Sequence, residues 1–227
     1  MPTNPIKLSP SDMTFLWDEC PRCFYLKYIH GINRPAAPFP AIFGAIDRLM
    51  KAQYAGHPST ELDPSLPPGL ISVTEQWIES VPINLPGHTL SCFLRGKLDA
   101  LIGFDDGSYG LVDFKTSEPK REHIPFYSRQ LHAYAYSLEH PHPGRLGRSP
   151  ISRLGLFVEA PHATLAASTG EISFHFRTSW LEVPYQEQGF IRFVDQVLSL
   201  LELPEPPLAN DVCTYCQYRQ HARVHGM

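Results

Sequence analysis

The chain has 227 residues, with 19 lysine and arginine residues against 23 aspartate and glutamate residues, for a formal net charge of −4. This balance excludes a protein that holds nucleic acid through a large overall positive charge, although local basic patches remain compatible with it. The length suits one well-buried domain, and no linker divides it. We therefore expect a single domain over residues 1–227, with a helical part at 1–60, a core at 70–201 and a cysteine-containing tail at 202–227.

The cellular compartment is predicted from the apolar runs and the cysteines. No apolar run reaches the length of a membrane-spanning helix, and the first residues lack the pattern of a secretory signal. Cysteines in closely spaced pairs are typical of reduced thiols that bind metal. The sequence therefore predicts a cytoplasmic protein without membrane contact.

Helical and strand-like segments alternate along the chain. In chain order, the hydrophobic pattern predicts a helix at about 10–30, a helix at 41–55, strands near 70–80, 88–103 and 109–116, a helix at 124–139, strands at 151–160 and 171–179, and a helix near 185–201. A mixed sheet flanked by helices, which is an α/β architecture, accounts for this order.

Charged residues interrupt the two central apolar strands. Asp99 lies in the first, Asp113 and Lys115 lie in the second, and residues 105–107 (Asp-Asp-Gly) supply the turn between them. Charges inside buried strands are costly unless they are paired or bind a metal. Two carboxylates and an ammonium group on neighbouring strands are the groups that a magnesium-dependent phosphodiester hydrolase needs. Asp99 and Asp113 are therefore candidate ligands of Mg²⁺ or Mn²⁺, which prefer oxygen donors.

Lys115 is the candidate partner of this metal. It lies two residues after Asp113 on a strand, so the two side chains project from the same face. A metal-bound water loses a proton more readily, and an ammonium group beside it can orient that water or stabilise charge on the phosphate.

The order of these residues resembles a known family. Asp99, then Asp113-Phe114-Lys115, then Gln130-Leu131-His132-Ala133-Tyr134 resembles the PD-(D/E)XK nuclease superfamily, specifically its RecB-like branch of helicase-coupled nucleases and small CRISPR-adaptation exonucleases. The resemblance implies a restriction-endonuclease-like core. It also implies that Gln130 and Tyr134, one helical turn apart, lie beside the catalytic residues Asp99, Asp113 and Lys115.

The N-terminal third adds to the resemblance and also departs from it. Residues 20–26 (Cys-Pro-Arg-Cys-Phe-Tyr-Leu) resemble a segment of the branch, and residues 43–47 (Phe-Gly-Ala-Ile-Asp) stand where relatives carry Phe-Gly-x-x-x-His. The family's histidine is a metal ligand, so the resemblance implies that Asp47 is a third ligand, and a carboxylate suits Mg²⁺ or Mn²⁺. An upstream glutamate often completes such sites, and Glu75 and Glu79 are both candidates.

Four of the five cysteines form a second candidate site. Cys20 and Cys23 near one end, and Cys213 and Cys216 near the other, form two Cys-x-x-Cys pairs that predict a zinc or iron–sulfur centre joining the terminal segments. Relatives often hold a [4Fe–4S] cluster with one N-terminal and three C-terminal cysteines. Here a third C-terminal cysteine is missing, so either Cys23 replaces it or His221 enters the shell. Spacing leaves zinc and iron–sulfur open, and Cys92 is expected in the core.

These residues predict a metal-dependent DNA nuclease, acting as an exonuclease on single-stranded or frayed ends. DNA is the expected partner, and a helicase would have to supply any processive unwinding; DNA repair and CRISPR adaptation are the processes that the resemblance implies. Two alternatives stay open. One is a weak or inactive DNA-binding or assembly subunit with the same fold, favoured by Asp47 and the acidic charge but not by the intact carboxylate–lysine set. The other is a scaffold whose cysteine centre is its main feature.

Overall fold

The fold was analysed in a computed structural model that describes residues 4–36, 38, 40–73, 75–118, 120, 122, 124–166, 170 and 172–226. Within these residues the chain forms six α-helices and eight strands, and the strands make two mixed sheets. Among the described helices, none combines the length and the apolar character needed to cross a membrane.

The elements alternate along the chain much as the hydrophobic pattern predicts. The helices are α1 (Pro10–Glu19), α2 (Pro21–His30), α3 (Ala41–Tyr54), α4 (Ile124–Glu139), α5 (Glu187–Leu201) and α6 (Thr214–Val224). The strands are β1 (Ile6–Leu8), β2 (Gly69–Val73), β3 (Trp77–Glu79), β4 (Cys92–Lys97), β5 (Ala100–Phe104), β6 (Tyr109–Lys115), β7 (Ile151–Ala166) and β8 (Ile172–Val183). The helix α6 and the strand β1 had no counterpart among the predicted elements.

Both sheets combine parallel and antiparallel pairs. The smaller has the order β1-β4-β3, with β1 parallel and β3 antiparallel to β4. The larger has the order β2-β5-β6-β7-β8, in which β6 and β7 are parallel and the other pairs are antiparallel. A parallel pair needs a long crossover, and α4 supplies it between β6 and β7. The expected α/β class with a mixed sheet flanked by helices is confirmed.

Helices cover both faces of the five-stranded sheet. Leu111 of β6 packs with Leu131 and Leu138 of α4, while the next residue along the strand, Val112, packs on the other side with Met50 of α3. This alternation follows from the two-residue period of a strand. Asp113 therefore projects toward α4, as Leu111 does.

Three predicted elements are each divided into two. The predicted helix at 10–30 is two helices, because Cys20 is extended with φ −167° and Pro21 begins α2; a residue before proline is driven out of the helical region. The predicted strand at 88–103 is also two strands, β4 and β5, which belong to different sheets.

The break between these two strands contains Asp99, so the expectation that Asp99 lies within a strand is wrong. The predicted strand near 70–80 is divided in the same way, into β2 of the larger sheet and β3 of the smaller one.

Candidate active site and cysteine centre

Asp113 and Lys115 form a buried ion pair on the α4 side of β6. The Asp113 side chain is 5 % exposed, and its Oδ2 lies 2.5 Å from Lys115 Nζ. Burial raises the pKa of Asp113, with a further contribution from the nearby charge of Asp99, while the Lys115 charge opposes the rise. Burial works against the Lys115 ammonium, but attraction to Asp113 outweighs it and raises the pKa of Lys115. The pair is thus a desolvated carboxylate held beside a stable cation.

Asp99 reaches the same place from the break between β4 and β5. Its Oδ2 accepts a hydrogen bond from the Phe114 backbone N–H at 3.1 Å, and its Oδ1 lies 2.8 Å from Lys51 Nζ. Leaving the strand lets this side chain turn toward β6 rather than alternate across a sheet. The structure therefore brings Asp99 beside Asp113, as the sequence predicts, although through a different local conformation.

Gln130 and Tyr134 approach this site from α4. Gln130 Nε2 lies 3.4 Å from Asp113 Oδ1 and donates to the Tyr134 hydroxyl at 3.1 Å, which in turn donates to the Lys97 carbonyl at 3.0 Å. Their i, i+4 spacing puts both on one face of the helix. A Cβ on Gly96 would lie 2.8 Å from the Tyr134 ring, so glycine is required for this close approach.

Lys51 is a site residue that was absent from the sequence predictions. From α3 its ammonium group contacts Asp47 Oδ2 at 2.9 Å, Glu75 Oε1 at 2.9 Å and Asp99 Oδ1 at 2.8 Å, and its side chain is 8 % exposed. Burial opposes the charged form, but the three carboxylates outweigh this effect and raise the pKa of Lys51. The signal available in the sequence was the i, i+4 spacing of Asp47 and Lys51 on an amphipathic helix.

The two upstream glutamates differ in their contacts. Glu75 contacts Lys51 and also Lys97, whose Nζ lies 2.9 Å from Oε2, and these hydrogen bonds lower the pKa of Glu75 to about 2. Glu79 instead pairs with Arg95 and Arg145 at 3.5 and 3.6 Å.

Glu75 also has a backbone φ of +40°, and every other described residue with a positive φ is a glycine. Such a conformation costs free energy and is found most often at functional sites. Glu75 therefore belongs to the carboxylate–lysine network around Asp99.

The oxygen donors of this network fit a hard divalent cation. Asp113 Oδ2 is buried and paired with the Lys115 ammonium, whereas Gln130 Oε1 is buried and has no hydrogen-bond partner within the described part of the chain. Buried oxygens are normally satisfied, and carboxylate and amide oxygens are the donors that Mg²⁺ and Mn²⁺ take. Asp99 and Asp113 are the residues that would hold the cation.

Three aromatic rings lie next to this site. Lys115 Nζ is 4.6 Å from the centre of the Tyr127 ring, and Tyr127 packs edge-on against Phe15 and Phe126, with ring centres 5.8 and 5.6 Å away. Phe15 is 37 % exposed, and the other two rings are half-buried. The rings form a partly exposed apolar surface that begins at the active-site lysine.

The four paired cysteines meet at a second centre. Cys20 and Cys23 lie at the start of α2, Cys213 and Cys216 lie at the start of α6, and their sulfurs are all within 4.8 Å of one another. The Cys20–Cys216 and Cys23–Cys213 distances are 3.8 Å and the Cys23–Cys216 distance is 3.5 Å. These separations are too long for a disulfide, whose sulfurs are about 2.05 Å apart. The predicted meeting of the terminal segments at the four cysteines is confirmed, with two cysteines from each end.

Two arginines donate hydrogen bonds to these sulfurs. Arg34 Nη2 lies 3.4 Å from Cys213 Sγ, and Arg219 Nη1 lies 3.8 Å from Cys23 Sγ. Burial opposes ionisation of Cys213, but hydrogen bonds from Cys216 and the neighbouring thiols outweigh it and lower the pKa of Cys213 to about 7. Burial raises the pKa of Cys23. A cation bound by the sulfurs would stabilise all four thiolates, so the donor set fits a thiolate-binding metal.

Comparison with known proteins agrees with this arrangement. Residues 66–221 match the family model of the PD-(D/E)XK nuclease superfamily. The chain belongs to this superfamily, whose members are metal-dependent nucleases. The match includes Asp99, Asp113, Lys115, Gln130 and Tyr134, whereas Asp47 and Lys51 precede it.

One solved structure shows the same fold over nearly the whole chain. The crystal structure of SSO0001 is similar at a TM-score of 0.51 and 18% sequence identity, covering 96% of this chain and 86% of that chain. None of the curated proteins matches the chain.

Proposed function

We propose that the chain is a Mg²⁺- or Mn²⁺-dependent deoxyribonuclease, with residues 1–227 acting as one nuclease domain. The observation that supports this best is the Asp113 carboxylate, buried between Lys115 and Gln130, with Asp99 beside it and Gln130 Oε1 without a hydrogen-bond partner among the described residues. Two neighbouring carboxylates and an unsatisfied amide oxygen have a physical reason to lie together when a cation joins them.

Each residue of this set has a distinct proposed role. A divalent cation held by Asp99 and Asp113 supplies a Lewis acid and a more acidic water. Lys115 orients the attacking water and stabilises negative charge on the phosphate. Gln130 fixes the Asp113 carboxylate, and Tyr134 fixes Gln130 against the Lys97 carbonyl. Asp47 stays a predicted third ligand through its carboxylate oxygen other than Oδ2, because Oδ2 shares the Lys51 ammonium with Asp99.

We infer that the substrate is single-stranded DNA or a frayed end, and that the enzyme acts as an exonuclease. The surface of Phe15, Phe126 and Tyr127 supports this inference, because aromatic rings beside a phosphate-directed lysine can stack on unpaired bases. The Gln130–Tyr134 spacing supports placement in the RecB-like branch, and with it roles in DNA repair or CRISPR adaptation alongside a helicase.

Cleavage of end-labelled DNA tests the nuclease proposal. Purified protein is incubated with single-stranded, frayed and blunt duplex DNA, with Mn²⁺ or with EDTA, beside the Asp113→Asn variant. We expect progressive shortening of single-stranded and frayed DNA in Mn²⁺, and no cleavage with EDTA or with Asp113→Asn. Cleavage that survives both changes contradicts the proposal, and a folded wild-type protein that never cleaves supports the non-catalytic alternative.

We further propose that the four cysteines hold one zinc ion. A tetrahedral zinc with Zn–S bonds of about 2.3 Å separates its sulfurs by about 3.8 Å, which is close to the 3.5 and 3.8 Å separations here. A four-iron cluster would place the four cysteine sulfurs farther apart than this, because each sulfur would bind a different iron at a corner of the cube. An absorbance spectrum with metal analysis tests this: a colourless protein with one zinc per chain is expected, and a brown protein containing iron and sulfide contradicts it.

A further inference from the structure

We propose that Lys51 occupies the position of a second metal ion, so that this nuclease site works with one divalent cation and one built-in ammonium group. The inference rests on the proposed nuclease function and deepens it, because it concerns how many cations the same site binds.

The coordination of Lys51 is the first argument. Its Nζ lies 2.8–2.9 Å from one oxygen each of Asp47, Glu75 and Asp99. An ammonium group has three donor hydrogens, so three acceptors satisfy it completely. Three carboxylates that converge from a helix, a loop and a strand break would otherwise form a strongly repulsive cluster. Lys51 therefore fills the space that a cation bound by these oxygens would need.

The second argument is the charge of the whole network. It contains four carboxylates (Asp47, Glu75, Asp99 and Asp113) and three ammonium groups (Lys51, Lys97 and Lys115), which leaves one net negative charge when all are ionised. One divalent cation and one phosphodiester bring the total to zero. Two divalent cations would leave a net charge of two positive units around the buried Lys51 and Asp113 side chains, which is costly.

The third argument is the contrast between the two oxygen sets. All three oxygens around Lys51 are engaged by its ammonium group. On the Asp113 side, Lys115 pairs with Asp113 Oδ2, but Gln130 Oε1 has no hydrogen-bond partner within the described residues. The unsatisfied oxygen lies on the Asp113 side of Asp99, so a single cation is expected there, and the Lys51 side is already satisfied.

Counting bound Mn²⁺ tests the inference without measuring cleavage. Mn²⁺ is titrated into the purified full-length chain, and the loss of the free-ion electron paramagnetic resonance signal gives the number bound; thiolates do not compete for this hard ion. We expect one Mn²⁺ per wild-type chain and two per Lys51→Met chain. Lys27→Met is the matched control, because it removes a lysine that pairs with Asp12 rather than with any of the four carboxylates, and it is expected to bind one Mn²⁺.

Every outcome of this titration decides the question. Two Mn²⁺ ions on the wild type, or one on folded Lys51→Met, overturn the inference. If Lys51→Met unfolds without metal, refolding by Mn²⁺ with two ions bound supports it, and failure to refold overturns it. A wild-type chain that cleaves DNA while binding two ions defeats only this inference. A chain that binds one ion and never cleaves defeats only the proposed function.

Discussion

Lys115 Nζ lies 2.5 Å from Oδ2 of Asp113, on the face of β6 that α4 covers. Removing one member of a buried ion pair leaves the other charge unpaired, which commonly costs about 3–5 kcal/mol. The pair therefore stabilises the site in the absence of substrate, and each residue has a second use when a cation and a phosphate enter. Because of this double role, a substitution in the pair can change both folding and cleavage. Matched control variants are needed to separate the two effects.

The Lys115→Met variant should lose nearly all cleavage. Methionine retains the length of the side chain but removes the charge that stabilises the phosphate, so we expect a drop of about 10²–10³-fold or more in kcat. Cleavage of end-labelled single-stranded DNA in Mn²⁺ measures this. Lys7→Met makes the same change at the exposed position of β1 and should cleave at the wild-type rate. Retained activity in folded Lys115→Met would falsify the proposed role of this lysine.

The Tyr134→Phe variant should separate activity from stability. It removes one hydroxyl that accepts from Gln130 and donates to the Lys97 carbonyl. We expect a loss of about 1 kcal/mol in the free energy of unfolding, equivalent to a fall in Tm of about 2–4 °C. Because Gln130 would no longer hold Asp113 in place, we also expect cleavage to fall roughly tenfold or more.

Tyr25→Phe is the control for this variant. Tyr25 is also buried, and its hydroxyl donates to the Leu203 carbonyl at 2.8 Å, far along the chain from the carboxylates. We expect a similar fall in Tm, measured by thermal denaturation, with unchanged cleavage. Equal losses of cleavage in both variants would show that Tyr134 acts only through stability.

The strand motif could be predicted because its information is local. Asp113 and Lys115 are two residues apart on one strand, and Gln130 and Tyr134 are one helical turn apart, so their relative positions follow from the geometry of each element. The four cysteines could be grouped for a different reason, since two Cys-x-x-Cys pairs have few other uses in a chain without a secretory pattern.

Lys51 and Glu75 could not be predicted in the same way. Their contact joins α3 to the loop after β2, and both reach Asp99 across the break between β4 and β5. No short-range sequence pattern encodes that contact. The break at Asp99 is also hidden in the sequence, because Leu98 and Ala100 on either side of it continue an apolar run that predicts one strand. The tertiary structure interrupts the strand where the two sheets separate.

Loss of one cysteine ligand should remove the metal and destabilise the chain. Cys23→Ser is expected to reduce the bound metal from one per chain to nearly none. If the free metal is about a thousand times the Kd, binding stabilises the native state by about 4 kcal/mol, and this contribution should be lost. Elemental analysis and thermal denaturation measure the two effects.

Cys92→Ser makes the same change at a buried cysteine outside the centre. Burial raises the pKa of Cys92 to about 12, as is expected of a packed thiol rather than a ligand. This variant should keep its metal. Full metal content in Cys23→Ser, or loss of metal in Cys92→Ser, would contradict the assignment of the four ligands.

His88 should make stability depend on pH. Its Nε2 lies 2.9 Å from Asp195 Oδ1 in the middle of α5, and its Nδ1 lies 2.8 Å from Oε2 of Glu202, which follows that helix. These hydrogen bonds raise the pKa of His88 above 6.5. A raised folded-state pKa gives stability that is complete below pH 6.5 and is lost as the pH rises through the folded value. At pH 5.5 we therefore expect His88→Gln to have a Tm about 4–8 °C below that of the wild type.

The gap between wild type and His88→Gln should narrow above pH 6.5 as wild-type His88 loses its proton. Burial opposes ionisation of Glu202, but hydrogen bonds from the Leu90 and Thr89 backbone and from His88 outweigh it and lower the pKa of Glu202 to about 2. The contribution of Glu202 to stability is therefore complete above pH 4.5 and is lost as the pH falls toward 2. Thermal denaturation from pH 5.5 to 9 therefore isolates the histidine. His175→Gln, on an exposed part of β8, should follow the wild-type curve. A gap between wild type and His88→Gln that is constant across this range would show that His88 does not carry the pH dependence.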